Sequence, residues 1–368
     1  MLPDGRRLGV HLPLGGGMLR AIARAREIGA DAVQIFGDNP TAWKRRQEPP
    51  REQPAFRDRL REHDIAPLAI HASYLVNLAG PDEDFFERSV SILANDILAA
   101  PGFGARFVNV HTGSHRGAGV EAGTRRIADA VSRVLGEADE APDGPILVLE
   151  NSSGGGFGIG TTVEELADIA EAIAARGVPE RRIGFCLDTA HAWGAGYRLS
   201  DPAAADALLE RFDELIGLGR MPMVHLNDSK SELGSRNDRH EHVGAGRIGE
   251  TGMAHLLRHS LLRGATYYLE TPGMDEGYDA INVARARALA LGGPLEPLPP
   301  GAFELRGSRS RAAHAPDDEE ELGPEEPGTE PGFELESEPE SGDPGADEAA
   351  PEDVATRGGA LSARSRSA

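Results

Sequence analysis

The 368-residue chain contains one cysteine, Cys186, so no intrachain disulfide can form and a disulfide-stapled secreted scaffold is excluded. Its setting, IGFCLD, suits a buried strand residue rather than a reactive thiol. No stretch approaches the roughly 20 apolar residues of a membrane span. The first ten residues, MLPDGRRLGV, lack the apolar core of a secretory leader. These absences predict a cytoplasmic protein that does not engage a membrane. Lysine is nearly missing: Lys44 and Lys230 are the only two among 38 bases, and the chain is rich in Ala, Gly and Arg. Such a bias makes any single arginine weak evidence of phosphate binding. What the chain does hold, 39% hydrophobic residues, is enough to bury a large core.

The formal charge of −22 divides unevenly. Residues 301–368 carry 18 acids against six arginines, a net of −12, which leaves −10 for residues 1–300. The negative total therefore does not exclude a nucleic-acid substrate, all the more if some acids ligate metal. From about Gly292 the sequence turns into GGPLEPLPPG and then acid-rich runs with little to bury. This predicts a catalytic domain over 1–292, followed by a Pro/Gly linker and disordered acidic tail over 293–368. The tail reads as a solvated appendage.

Within residues 1–292 a short apolar run ending in a polar or aromatic residue returns eight times: RLGVHLP, AVQIFG, APLAIHAS, RFVNVHTG, ILVLEN, IGFCLDTAH, PMVHLND and YYLETPG. The ends fall at His11, Phe36, His71, His111, Glu150, Asp188, His225 and Glu270, spaced by 25 to 45 residues. Intervening segments such as MLRAIARAREIGA and TVEELADIAEAIAARG carry helical periodicity. Eight strand–helix units predict an α/β fold, a (β/α)8 TIM barrel.

In such a barrel the carboxyl ends of all strands open onto one face. Here those ends supply metal-type ligands repeatedly: His71, His111, Glu150, Asp188 with His191 just after, His225 and Glu270, with Asp238 and His240 in the following loop DRHEH. A single histidine at a strand end is ordinarily a satisfied hydrogen-bonding residue. Five histidines and four carboxylates together need another explanation, because buried carboxylates must be paired or bind a cation. Mixed His, Asp and Glu ligation without thiolate suits catalytic zinc, or manganese or iron. At about three protein ligands per catalytic ion, nine side chains suggest two or three ions. Three divalent ions would exceed the charge of four carboxylates and draw an anionic substrate, for which a phosphodiester is the natural candidate.

The pieces HASYLVNLAGP, FVNVHTGSH, LVLEN, CLDTAHAWGAGY, VHLNDSKSELGSRNDRHEHVGAGRIG and LETPG stand in the order and spacing of one known family: over residues 8–290 the chain resembles endonuclease IV, the abasic-site endonuclease of the xylose-isomerase-like barrel superfamily. The resemblance implies three Zn2+ per chain, with Mn2+ or Fe2+ as possible substitutes. It implies that His71, His111 and Glu150 hold the first, that Glu150, Asp188, His225 and Glu270 hold the second, and that His191, Asp238 and His240 hold the third. It further implies hydrolysis of the phosphodiester 5′ to an abasic site in duplex DNA by a metal-bridged hydroxide. Glu150 or Glu270 would orient the hydroxide, and the products would be a 3′-hydroxyl and a 5′-deoxyribose phosphate. A 3′-repair phosphodiesterase activity, a hydrolase of the deoxyribonuclease IV (phage-T4-induced) type, and a monomer with no obligate protein partner belong to the same expectation.

The family inserts an Arg and a Tyr-Leu pair into damaged DNA. Tyr74 and Leu75 match the pair, while Thr41 stands at the Arg position in GDNPTAWKRR, so Lys44, Arg45 or Arg46 is expected to supply part of the missing backbone contact. His11, His115 and His242 read as supporting residues rather than ligands, and the glycine run SSGGGFGIG as an active-site loop. Two rival readings share the barrel: a metal-dependent sugar isomerase or epimerase, and a non-catalytic binding barrel. The third ligand set argues against the first, and nine intact ligand positions argue against the second.

Overall fold

The structure, a computed structural model, describes residues 1–137, 144–274 and 276–304. The acidic tail expected beyond residue 304 lies outside the described residues.

Eight parallel strands close a barrel: β1 (Leu8–His11), β2 (Ala32–Phe36), β3 (Leu68–His71), β4 (Ala105–His111), β5 (Ile146–Glu150), β6 (Ile183–Asp188), β7 (Met223–His225) and β10 (Thr266–Leu269). They neighbour one another in sequence order, and β10 pairs with β1 to complete the ring. Between them run α1 (Met18–Ile28), α2 (Gln53–Glu62), α3 (Glu83–Phe103), α4 (Val120–Glu137), α5 (Val163–Ala174), then α6 (Thr189–Ala195) with α7 (Pro202–Leu215), and α8 (Gly249–Arg258). Helix α9 (Tyr278–Leu291) follows the last strand. This is the TIM barrel that the eightfold repeat predicts. Among the described residues no helix is long and apolar enough to cross a membrane.

The strands read as continuous apolar runs because both faces are covered, yet the two faces do different work. Ala32, Ala69, Phe107, Val148, Cys186, Met223 and Tyr268 form a small apolar plug inside the barrel. The alternate residues, such as Val33, Ile70, Val108, Leu149, Phe185 and Tyr267, join the large core under the helices. Because side chains alternate with period two, the position two residues beyond each plug residue also points inward, but at the open end. Those positions are Gln34, His71, Asn109, Glu150, Asp188, His225 and Glu270. The ligand-type residues are thus the uppermost layer of the barrel interior. Cys186 is 1% exposed within the plug, and burial pushes its thiol up to about 11, consistent with an inert packing residue.

Two features differ from the sequence reading. The segment DRHEH is not wholly loop: His240–Glu241 forms a short strand β9 that pairs antiparallel with β8 (Asp228–Ser229), Ser229 opposite His240. The Pro/Gly stretch after Gly292 also keeps contact with the barrel as far as it is described. Leu295 packs against the core, Glu296 O accepts from Arg285, and Ala302 O accepts from His242 Nε2 at 3.0 Å. The average composition of that stretch hides the two apolar anchors, Leu295 and Ala302.

Candidate metal centre

Register brings the inward ends side by side: His71 lies beside Asn109, His111 beside Glu150, and Asp188 beside His225. Local structure then adds ligand-type residues that lie beyond the strands. Asp188 caps α6, its Oδ1 accepting from His191 N at 2.8 Å, which fixes His191 one turn away on the same rim. The β8–β9 hairpin carries Asp238 and His240 back over the barrel mouth. Its return is pinned by the Asp228 carboxylate, which accepts from the backbone N–H groups of Gly246, Ile248 and Gly249. A side chain at Gly246 would meet Asp228 Oδ1 at 2.5 Å, so the loop can close on that carboxylate only with glycine there.

The result is three adjoining sets. Glu150 Oε2 faces His71 Nε2 at 3.5 Å and His111 Nε2 at 3.6 Å. His225 Nδ1 faces Glu150 Oε1 at 3.1 Å, Glu270 Oε2 at 3.4 Å and Asp188 Oδ2 at 3.8 Å. Asp238 reaches His191 Nε2 at 3.0 Å and His240 Nε2 at 2.9 Å, while Asp188 Oδ2 stands 3.7 Å from His240 Nε2. In each of three groups the ligand-type atoms lie within 4.8 Å of one another: His71, His111 and Glu150; Glu150, Asp188, His225 and Glu270; and Asp188, His191 and His240. The structure therefore brings together all nine residues expected from the sequence.

Hydrogen bonding shows what such a cluster can hold. His71 Nδ1 donates to Ala72 O at 2.8 Å, His191 Nδ1 to Asn151 O at 2.9 Å, and His240 Nδ1 to Glu270 O at 2.7 Å. A carbonyl only accepts, so each Nδ1 carries the proton and each Nε2 turns a lone pair toward a carboxylate oxygen. His225 is held the opposite way round. Its Nε2 donates to Gln34 Oε1 at 3.0 Å, since the Gln34 amide nitrogen is committed to Glu270 Oε1 at 2.6 Å, and its Nδ1 lone pair faces three carboxylates. Lone pair against carboxylate is repulsive unless a cation stands between them, and this donor set fits divalent metal. Where protons take that place, the groups shift strongly. Burial would lower the His240 pKa, but the Asp238 charge outweighs it and pushes it up to about 9. Burial alone would raise Glu150, and the imidazoles of His225 and His111 hold it well below the usual carboxylate range.

A fourth group on the barrel's outside behaves differently. Asp206 Oδ1 meets His255 Nε2 at 2.6 Å and His259 Nε2 at 2.9 Å. His259 Nδ1, however, accepts from Leu261 N, so its Nε2 bears the proton and donates. That group is a hydrogen-bonded tie between α7 and the end of α8.

The side chains that orient these ligand-type residues are uncharged and do not stand out in the sequence. Gln34, Asn109 and Asn227 are fully buried. Asn109 Nδ2 donates to Glu150 Oε2 at 2.5 Å, Asn227 Nδ2 to Asp188 Oδ2 at 2.7 Å, and Asn227 Oδ1 accepts from Glu270 N at 2.9 Å. Their signal was a polar residue inside an apolar run: AVQIF, RFVNVH, VHLND. Replacing Gln34 by Leu should weaken metal retention about 10- to 100-fold, because His225 and Glu270 both lose a partner; metal content after dialysis against graded chelator checks this.

His11 Nδ1 accepts from Gln34 at 3.0 Å and lies 3.3 Å from Glu270 Oε1, beside the cluster rather than in it. His115 accepts from Gly117 N and Gly119 N, and His242 joins Asn282 to Ala302 O; neither approaches the ligand sets. Beyond the cluster a cavity of about 590 Å³ opens, lined by Tyr74, His111, His191, Asp238, Arg116 and Arg236 among others. Tyr74 is half-buried, its ring 5.0 Å from Phe36 and its hydroxyl without a partner among the described residues. Leu75 packs on the core. In the loop after β2, Arg45 donates to Asn39 O and Ala42 O, Arg46 pairs with Asp38, and Thr41 bonds Asn39 Oδ1, so these residues brace the loop; Lys44 is exposed. Arg116, Arg236 and the nearby Phe157 were not singled out from sequence.

Residues 22–290 match the family model described as a xylose isomerase-like TIM barrel. Probable endonuclease 4 of Methanoculleus marisnigri is 41% identical over 283 residues, 77% of this chain and 98% of that protein. The protein of the same name in Halothermothrix orenii is 39% identical over 282 residues, covering 76% of this chain and 99% of its own. The crystal structure of endonuclease IV from Thermus thermophilus superposes with a TM-score of 0.67 at 36% identity, over 78% of this chain and all of that one.

Proposed function

Because the chain belongs to the endonuclease IV family, we propose that it is a DNA-repair endonuclease that hydrolyses the phosphodiester 5′ to abasic sites in duplex DNA, leaving a 3′-hydroxyl and a 5′-deoxyribose phosphate. Three zinc ions are assigned to the three sets: His71, His111 and Glu150; Glu150, Asp188, His225 and Glu270; His191, Asp238 and His240. Bound there, zinc supplies charge neutralisation for phosphoryl oxygens and a water of lowered pKa.

The chain's own part is orientation. Glu150 and Glu270 hold their carboxylates toward the cluster through Asn109 and Gln34, and both are the proposed orienters of the attacking water. Tyr74 closes one wall with a hydroxyl that has no partner among the described residues, and Arg116 and Arg236 place positive charge along the route a phosphate backbone would take. The same open cavity would accept a blocked 3′ end, which supports a 3′-repair phosphodiesterase activity.

The observation that carries this reading is the third set. Asp238 on a hairpin returned over the mouth, within 3.0 Å of both His191 and His240, adds a cation position that a sugar isomerase working on one or two metals does not need. The test is incision of a duplex carrying one stable abasic analogue beside an undamaged duplex. Cleavage immediately 5′ to the lesion is expected, abolished by chelator and restored by zinc. No incision by protein with three metals bound would discard the reading in favour of the isomerase.

A further inference from the structure

Four non-glycine residues among those described adopt a left-handed backbone: Asp64, Arg116, Phe157 and Arg236. Three of them, Arg116 at φ 44°, Phe157 at φ 63° and Arg236 at φ 60°, line the cavity of about 590 Å³ beside the candidate metal centre. Left-handed geometry is costly for an aromatic residue and persists only where its surroundings impose it. The surroundings here are explicit. His115 N donates to Phe157 O at 3.1 Å, Ile159 N to Gly113 O at 3.0 Å, and Ser114 Oγ to Gly156 O, so the loop after β5 is stitched to the loop after β4. On its other side Gly155 lies so close under Arg236 O that a Cβ would stand 2.8 Å from it.

This pinned loop presents a ring that the described residues leave largely uncovered. Phe157 is 62% exposed, and its ring neighbour is His115 at 5.3 Å. The other exposed phenylalanine among the described residues, Phe303, has its ring 6.2 Å from His242 and does not line that cavity. An apolar ring held in water by a strained and pinned backbone is a cost to the free protein, and a ligand with a flat apolar face would recover it. Two guanidinium groups on the same rim suit a ligand that also carries phosphates.

We propose that Phe157 is a base-stacking ledge: it takes the face of the nucleobase left without a neighbour by the missing base, while Arg116 and Arg236 hold the flanking phosphates. This rests on the abasic-endonuclease reading and goes beyond it, because it names where the exposed base face is received. Stacking on a pre-positioned ring is tolerant of base identity, so the ledge confers lesion recognition without sequence preference.

The test uses full-length protein and a duplex with a stable abasic analogue flanked by 2-aminopurine. Phe157→Ala and Phe157→Gly should raise KM about tenfold or more, as loss of one base-stacking ring does, with kcat within about threefold. They should also remove the 2-aminopurine emission change seen on binding, and Phe157→Trp should restore both. Phe157→Gly should also unfold at the same or a higher temperature than wild type, since glycine relieves the left-handed strain, so weakened binding there cannot come from misfolding. Wild-type incision with KM and emission unchanged in Ala and Gly would overturn the ledge alone. Absence of wild-type incision would overturn the endonuclease reading and the ledge with it.

Discussion

Glu150→Gln should lower incision of an abasic duplex by at least about a hundredfold and leave the purified protein deficient in more than one metal ion per chain. The carboxylate is fully buried and serves two sets at once. Oε2 faces His71 and His111, and Oε1 faces His225 at 3.1 Å and His191 at 3.2 Å. Glutamine keeps the shape but cancels the charge, and turns an N–H donor toward lone pairs that require a cation. Removing even a partner that only orients a metal ligand costs about 10- to 100-fold, so a ligand shared by two sets should cost at least the square of the lower figure and more. Asp238→Asn is the control: it touches only the third set, so it should remove one ion and leave two. Metal analysis of both variants beside their incision rates checks the pair. Loss of one ion from each variant would contradict the shared role of Glu150.

The barrel and its layer of ligand-type residues were legible because both follow from period-two alternation. A strand covered on two faces is apolar throughout, so a polar residue at its carboxyl end stands out, and eight such ends converge by topology. The residues that orient the ligands escaped for the same reason read the other way. Gln34, Asn109 and Asn227 are uncharged, and their importance depends on which ring nitrogen carries a proton, which only the assembled hydrogen bonds reveal. The hairpin that returns Asp238 was also hidden, since two-residue strands leave no periodic trace and Asp228 sets the return through backbone N–H groups. Phe157 lay in plain view inside SSGGGFGIG, but its left-handed φ and its place above the metal centre are properties of how two loops are stitched, not of local sequence.

Asp96→Asn should stabilise the protein at pH 8 by on the order of 3–4 kcal/mol and leave stability near pH 4 almost unchanged. Asp96 lies on α3, is 4% exposed, and accepts no hydrogen bond among the described residues. Burial disfavours its charge and pushes its pKa up to about 7, with Arg45 pulling only partly back. The sign follows from linkage. A folded pKa raised above the unfolded value of 3.8 means that the native state binds the proton more tightly, so this group's contribution is fully present below pH 3.8 and is lost as pH rises through about 7. Asparagine has no proton to lose, and the residue borders a cleft lined by Asp38, Gln47, Gln53 and Asn95 where water can satisfy its amide. The wild type tolerates this cost in a position where the carboxylate attracts Arg45, the residue that braces the loop between β2 and α2 through Asn39 O and Ala42 O. The variant should therefore be the more stable protein with the looser loop. Thermal unfolding of both proteins at pH 4, 6 and 8 checks the first half: the gap should open between pH 4 and 8, and an equal gap at all three values would show that Asp96 is not the titrating group. Incision kinetics at pH 8 checks the second, through a higher KM for the lesion duplex at unchanged metal content.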